Sequence, residues 1–286
     1  MRKYRLLLFF FLFCVAAACA SLYMVGSILI SPKPSSIGLP PKDLPIEVVQ
    51  ISKENDALIH GWFLGGDINK AGILLLHGVK SDRREMIDRA RFFYREGYSV
   101  LLIDMQAHGE TAGEYLTFGY LESIDAGRAV EFLRKRIDGK VGIIGSSMGG
   151  AAALLGTQSN RADAIIIEGV YGTIEQAIKN RIALRLGRVA TLLSPLLSWQ
   201  LEPRLGISLD SLSVVDAVSK LNSPILVISG NQDRHALPSE AQAIFDAANQ
   251  PKSLWMIEGA SHEDLYEYNN ESYEKRILDF FAEHLQ

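Results

Sequence analysis

Hydrophobic positions divide the chain into one long apolar run and a longer patterned stretch. Residues 6–30 are apolar except for Ser21, Gly26 and Ser27. Beyond them, runs at 46–52 and 57–64 read as strands joined by a Lys53-Glu54-Asn55-Asp56 turn. The run 71–78 is apolar without alternation, the pattern of a strand buried on both faces in a parallel sheet. Residues 83–96 read as a helix with Met86, Ile87, Ala90, Phe93 and Tyr94 on one face, ended by Gly97. Further strands are predicted at 98–104, 141–145, 164–168, 225–229 and 254–257. Helices are predicted at 118–137, with Ala126, Ala129, Val130, Leu133 and Ile137 inward, and at 273–285. Strands alternating with helices predict an α/β fold with a mostly parallel sheet.

One stretch breaks that alternation. No strand is expected between 170 and 223. Thr173-Ile174-Glu175-Gln176 reads as a capping box opening a helix. Ile174, Ile178, Ile182 and Leu186 form its apolar stripe, and Arg181, Arg185 and Arg188 another face, read as solvated with anionic lipid headgroups as the alternative. With the apolar stretch 189–201 this suggests a helical lid inserted over the sheet edge. The organisation expected is therefore an N-terminal segment (1–30), a linker (31–45) and a domain (46–286) carrying the insertion at 170–223.

The first run has a basic leader, with Arg2, Lys3 and Arg5 before it and Lys33 after it. Twenty-five helical residues reach about 37 Å, enough to cross a hydrocarbon core of about 30 Å. The charge bias places the N-terminus in the cytoplasm and the domain outside. Two alternatives stay open: a signal peptide cut after Ala18-Cys19-Ala20, and lipidation of Cys19. All three readings export the domain.

Composition narrows the classes. With 48% hydrophobic and 22% charged residues, the 286-residue chain is globular, with room for one large core. A net charge of −4 and a pI of about 5.9 give no footprint for nucleic acid. Cys14 and Cys19, the two cysteines, both lie in the N-terminal run, which leaves the domain no disulfide, cysteine metal site or cysteine nucleophile.

The candidate chemistry begins where the 141–145 strand runs into Gly145-Ser146-Ser147-Met148-Gly149 and then a helix-forming alanine run. Strand, sharp turn and helix around Gly-x-Ser-x-Gly make a nucleophile elbow, with Ser147 at its tip. A serine needs a base, and the base an orienting acid. Asp233 follows the 225–229 strand and His262 the 254–257 strand, where acid and base belong. Glu168, at a strand end, is a back-up acid. His108 is expected as a loop residue beside the site, His77 as a loop-shaping residue, and His60, His235 and His284 as structural or exposed. Two N–H groups are expected to form an oxyanion hole, those of Met148 and of Val79 in His77-Gly78-Val79. No cofactor or metal is required.

These residues carry a family resemblance. His77-Gly78, the stretch Asp104-Met105-Gln106-Ala107-His108-Gly109-Glu110-Thr111, the elbow, Gly230-Asn231-Gln232-Asp233 and His262 occur in the order of the α/β-hydrolase superfamily. The chain most resembles its serine-aminopeptidase-type and lysophospholipase-like branch, although Gln106-Ala107 and Thr111 depart from the usual Arg-Gly and Ser. The resemblance implies that Asp104 organises its loop. It implies a serine hydrolase working through an acyl-enzyme on carboxylic esters, with a small-molecule or lipid substrate. Leu192, Leu193, Leu196 and Trp199, with Leu197, are expected to contact that substrate from the lid, or else only to bury the lid against the sheet. An aminopeptidase-type amidase is the alternative, and it would need a lid carboxylate such as Glu175, Glu202 or Asp210. A catalytically silent binding protein is a third reading.

Overall fold

A computed structural model describes residues 2–53, 57–155 and 162–286. The expected turn at 54–56 falls outside the described residues. In chain order the strands are β1 (Lys33–Pro34), β2 (Glu47–Ser52), β3 (Leu58–Leu64), β4 (Gly72–Leu76), β5 (Ser99–Ile103), β6 (His108–Gly109), β7 (Val141–Ser146), β8 (Ala164–Glu168), β9 (Ile225–Gly230) and β10 (Lys252–Ile257). The helices are α1 (Arg2–Ile30), α2 (Ile87–Arg95), α3 (Tyr120–Arg134), α4 (Met148–Leu154), α5 (Ile174–Leu186), α6 (Ser194–Trp199), α7 (Leu201–Leu205), α8 (Val214–Val218), α9 (Pro238–Ala247), α10 (Leu265–Tyr268) and α11 (Asn270–His284).

The main sheet has eight strands in the order β10-β9-β8-β7-β4-β5-β3-β2. β2 and β3 pair antiparallel, as do β3 and β5, and every other pairing in that sheet is parallel. The unbroken apolar runs supply its centre: β4, β5 and β8 are buried along their whole length. One core lies between the sheet and α3, α4, α5 and α9. The other lies under α2 and α11, where Phe92, Phe93, Tyr273, Ile277 and Phe281 are buried. This is the α/β-hydrolase fold, a central mostly parallel sheet flanked by helices.

The segment between β8 and β9 is helical, as its pattern predicts. The Thr173 hydroxyl accepts the Gln176 N–H (3.3 Å) and the Gln176 side chain accepts the Thr173 N–H (3.1 Å). The stripe on α5 is shorter than expected. Ile174, Ile178 and Ile182 are buried, but Leu186 is 71% exposed, because the core ends one turn earlier. Residues 31–45 lie against the domain. β1 pairs parallel with β6, the Ser35 hydroxyl donates to Asp82 (3.0 Å), and Ile37 is buried.

Candidate active site

The end of β7 is a sharp turn with one strained residue, Ser147, at φ 48° and ψ −112°. L-residues rarely adopt that region, and such strain collects at functional sites. The turn closes only because its flanks lack side chains. A Cβ on Gly145 would lie 2.4 Å from the Gly149 backbone, and one on Gly149 would lie 2.4 Å from the Leu76 carbonyl oxygen. The Ser147 N–H donates to the Glu168 carbonyl (2.7 Å), which fixes the elbow to the end of β8.

Asp233 and His262 stand on the loops after β9 and β10. Those loops are stitched together: Gln232 N–H donates to the Ala260 carbonyl (2.9 Å) and Gly259 N–H to the Asn231 side chain (2.8 Å). His262 Nδ1 lies 2.7 Å from Asp233 Oδ2. The other carboxylate oxygen accepts N–H groups from His235 (2.7 Å) and Ala236 (2.9 Å), so Asp233 is buried with both oxygens engaged. Gly169 links this pair to the elbow: its Cβ position is 3.4 Å from His262 Nδ1, and it follows the residue that holds the Ser147 N–H. Ser147, Asp233 and His262 line one cavity of about 450 Å³.

Val79 lines the same cavity. Among the described residues the Val79 and Met148 N–H groups make no hydrogen bond within the protein. The loop carrying Val79 is shaped by neutral histidines. His77 Nε2 accepts the Met105 N–H (3.2 Å), and its Nδ1 faces the Gly78 carbonyl (2.7 Å). His108 Nε2 accepts the Lys80 N–H (3.1 Å), and its Nδ1 faces the Gln106 carbonyl (2.9 Å). In each ring one nitrogen must therefore donate and the other accept. Burial, the largest cause, pushes the His108 pKa down to about 4, with His77 adding to the shift. Glu85 accepts the Gly78 N–H at 3.0 Å from below. Asp104 organises its loop by accepting N–H groups from Arg83 (2.8 Å) and Glu110 (2.9 Å), and it pairs with the Arg83 side chain.

Glu168 is committed elsewhere. Its carboxylate takes the Arg89 guanidinium (2.7 Å) and the Tyr273 hydroxyl, a buried network behind the elbow.

The lid residues expected to contact substrate lie away from the cavity. Leu192, Leu193, Leu196 and Trp199 line no part of the cavity and are 80%, 50%, 49% and 72% exposed. The inward positions of this segment are taken by Ser194, Leu197, Ser198 and Leu201. Arg181 leaves the solvated face assigned to it and lines the cavity, whereas Arg185 and Arg188 are exposed. His235 also departs from expectation. It lines the cavity with its ring centroid 5.0 Å from that of His262, and burial followed by His262 lowers its pKa. Its nearness to Asp233 in sequence was the signal for it. For Arg89, Glu85 and Arg181 no local signal existed, since each sits on a helix or turn of ordinary composition.

A family model described as the alpha/beta hydrolase family matches residues 58–275. YqkD of Bacillus subtilis (strain 168) is 26% identical over 213 residues, covering 73% of this chain and 70% of that protein. Alpha/beta hydrolase domain-containing protein 17B of Homo sapiens is 32% identical over 76 residues, 27% of this chain and 26% of that one. Among solved structures, the Pyrococcus furiosus esterase Pf2001 superposes with a TM-score of 0.73 at 21% identity, over 90% of this chain and 98% of that one. That likeness is one of fold.

Proposed function

Since this chain belongs to the alpha/beta hydrolase family, we propose that it is a serine hydrolase of carboxylic esters. The observation carrying this reading is the His262–Asp233 contact of 2.7 Å beside a serine held at positive φ in the same cavity. Asp233 fixes the tautomer with Nδ1 protonated and leaves Nε2 free as a base. His262 Nε2 takes the Ser147 hydroxyl proton as Oγ bonds to the ester carbonyl carbon. The carbonyl electron pair moves to oxygen, where the Val79 and Met148 N–H groups hold the negative charge. The imidazolium then gives its proton to the departing alkoxide, leaving an acyl-enzyme. Water, deprotonated by the same nitrogen, attacks that acyl carbon, and Ser147 leaves with the proton returned to it.

Ester rather than amide is favoured because the lid carboxylates offered for binding a free amine, Glu175, Glu202 and Asp210, line no part of the cavity. The Pyrococcus furiosus protein of similar fold is described as an esterase.

A fluorophosphonate probe tests the nucleophile. Wild type is expected to label and Ser147→Ala not to label; equal labelling of both would reject the assignment, and no labelling of wild type would favour a silent scaffold. Asp233→Asn is expected to lower kcat on the order of 10⁴-fold by fixing the wrong tautomer. Faster turnover of aminoacyl-nitroanilides than of an ester series would turn the reading to an amidase.

We also propose that α1 spans a membrane, with the domain outside the cytoplasm. The helix from Lys3 to Ile30 has a mean hydropathy of 2.5 over its most apolar window. Its contacts with the domain begin at Leu22, beyond the alternative cut after Ala20, so both forms would keep them. The intact mass of the purified protein separates the two.

A further inference from the structure

The insertion carries an apolar face that the catalytic cavity does not use. Among the described residues outside α1, seven of the sixteen exposed large apolar side chains fall within residues 184–199. Single exposed apolar residues are ordinary, but a cluster of this density marks an interaction surface. What covers it follows from α1.

Residues 3–21 of α1 are exposed on every side. The apolar part of these, 6–21, is sixteen residues and about 24 Å of helix, and Lys3 and Arg5 before it can extend their charged heads to the far headgroups of a hydrocarbon core of about 30 Å. The remaining turns turn one face to the domain, with Gly26 and Ile30 buried and Leu22 and Leu29 partly so. The bilayer boundary therefore falls near Leu22 and Tyr23. At that level α1 meets the insertion. The Gln200 side chain donates to the Leu22 carbonyl (3.3 Å), Arg204 donates to the Tyr23 carbonyl (3.4 Å), and the Arg204 guanidinium lies 4.2 Å from the Tyr23 ring centre. The approach is close: a Cβ on Gly26 would fall 2.0 Å from the Gln200 side-chain oxygen. Thus the junction between α6 and α7 is fixed at the depth where the lipid begins.

We infer that Leu186, Val189, Leu192, Leu193, Leu196 and Trp199 seat in the boundary between headgroups and acyl chains of the membrane that α1 crosses. The inference rests on the reading of α1 as a span. The chemistry of the surface suits that place. Tyr23, Tyr115 and Trp199 are exposed aromatics of the kind that collect at membrane interfaces. Arg185 and Arg188, exposed on the same stretch, suit phosphate headgroups. The cavity stands beside this contact. Val79 lines it, and the next residue, Lys80, donates its Nζ to the Ile28 carbonyl of α1 at 2.7 Å. The substrate class implied is an amphiphilic ester presented from the bilayer surface.

The test places one thiol at a time on the full-length chain. Cys19→Ser keeps Cys14 in α1. Cys14→Ser with Cys19→Ser carries either Leu196→Cys on the face or Lys275→Cys on α11, which packs on the opposite side of the sheet. Each protein is labelled with an environment-sensitive fluorophore in detergent and returned to phosphatidylethanolamine–phosphatidylglycerol nanodiscs. Quenching by lipids spin-labelled high on the acyl chain, read for 196 and 275, and near its end, read for 14, is then measured. The expected result is strong loss of emission at 14 and 196, with a blue shift, and little loss at 275. Loss at 14 without loss at 196 overturns the inference and leaves the span intact. No loss at 14, or a product lacking that residue, overturns the span and the inference with it. Equal loss at 196 and 275 also overturns it, because the contact would not be confined to one face.

Discussion

At Gly149 a single methyl group decides whether the elbow closes. An alanine there would push its Cβ to 2.4 Å from the Leu76 carbonyl oxygen, and backbone cannot yield as a side-chain tip can. Gly149→Ala is expected to cost about 3 kcal/mol, read as a lower urea midpoint; an unchanged midpoint would contradict so tight an approach. His108 sets a different test. Its pKa falls from 6.5 to about 4 on folding, so the unfolded chain takes up a proton first as pH drops. Its contribution is complete above pH 6.5 and is lost as the pH falls through about 4, on the order of 3 kcal/mol in all. Burial lowers the His77 pKa too, so that residue acts in the same direction. His108→Gln is expected to flatten the decline in unfolding free energy between pH 7 and pH 4. An equally steep decline in the variant would assign it to other groups. Ser147, Asp233 and His262 were legible because each follows a strand that the apolar pattern reveals. Arg181 was not, since a side chain's direction on a helix depends on packing that no local pattern encodes, and for His235 the one signal was its nearness to Asp233.

Among elements, the apolar runs marked the buried strands of the sheet. Strands without alternation must be buried on both faces, and that requirement alone gave the parallel centre of the sheet. The boundaries observed for β4, β5 and β8 differ little from those the pattern predicts. What the pattern missed was polar. Arg89 of α2, Glu168 of β8 and Tyr273 of α11 meet in the interior, with Asp264 accepting from the same guanidinium at 3.0 Å. They come from three separate regions of the chain, and only the tertiary fold brings them together. Arg89→Met would leave the Glu168 carboxylate buried without its cation, and it is expected to cost about 4 kcal/mol by chemical denaturation. Adding Glu168→Leu should recover part of that loss, because an apolar replacement needs no counter-charge. If the double variant is less stable than the sum of the single ones, the network contributes more than this pair.

For the whole molecule, the sequence separates an apolar leader from an α/β domain, but it does not show the joint between them. Two residues separate the end of α1 from β1, and β1 is hydrogen-bonded through Lys33 N–H to the Ala107 carbonyl at 2.7 Å. Ser35 and Ile37 hold the next residues to the domain as well. If α1 spans a membrane as proposed, an enzyme mounted this way would not sweep a volume of solution for its substrate but would meet it by lateral diffusion in a plane, at one height and one tilt. Its rate should then follow the mole fraction of ester among the surrounding lipids, and diluting that ester with inert lipid at constant total amount should slow it. Lengthening the joint after Ile30 with a flexible insert should weaken that dependence, since the domain would regain the freedom to tumble away from the surface.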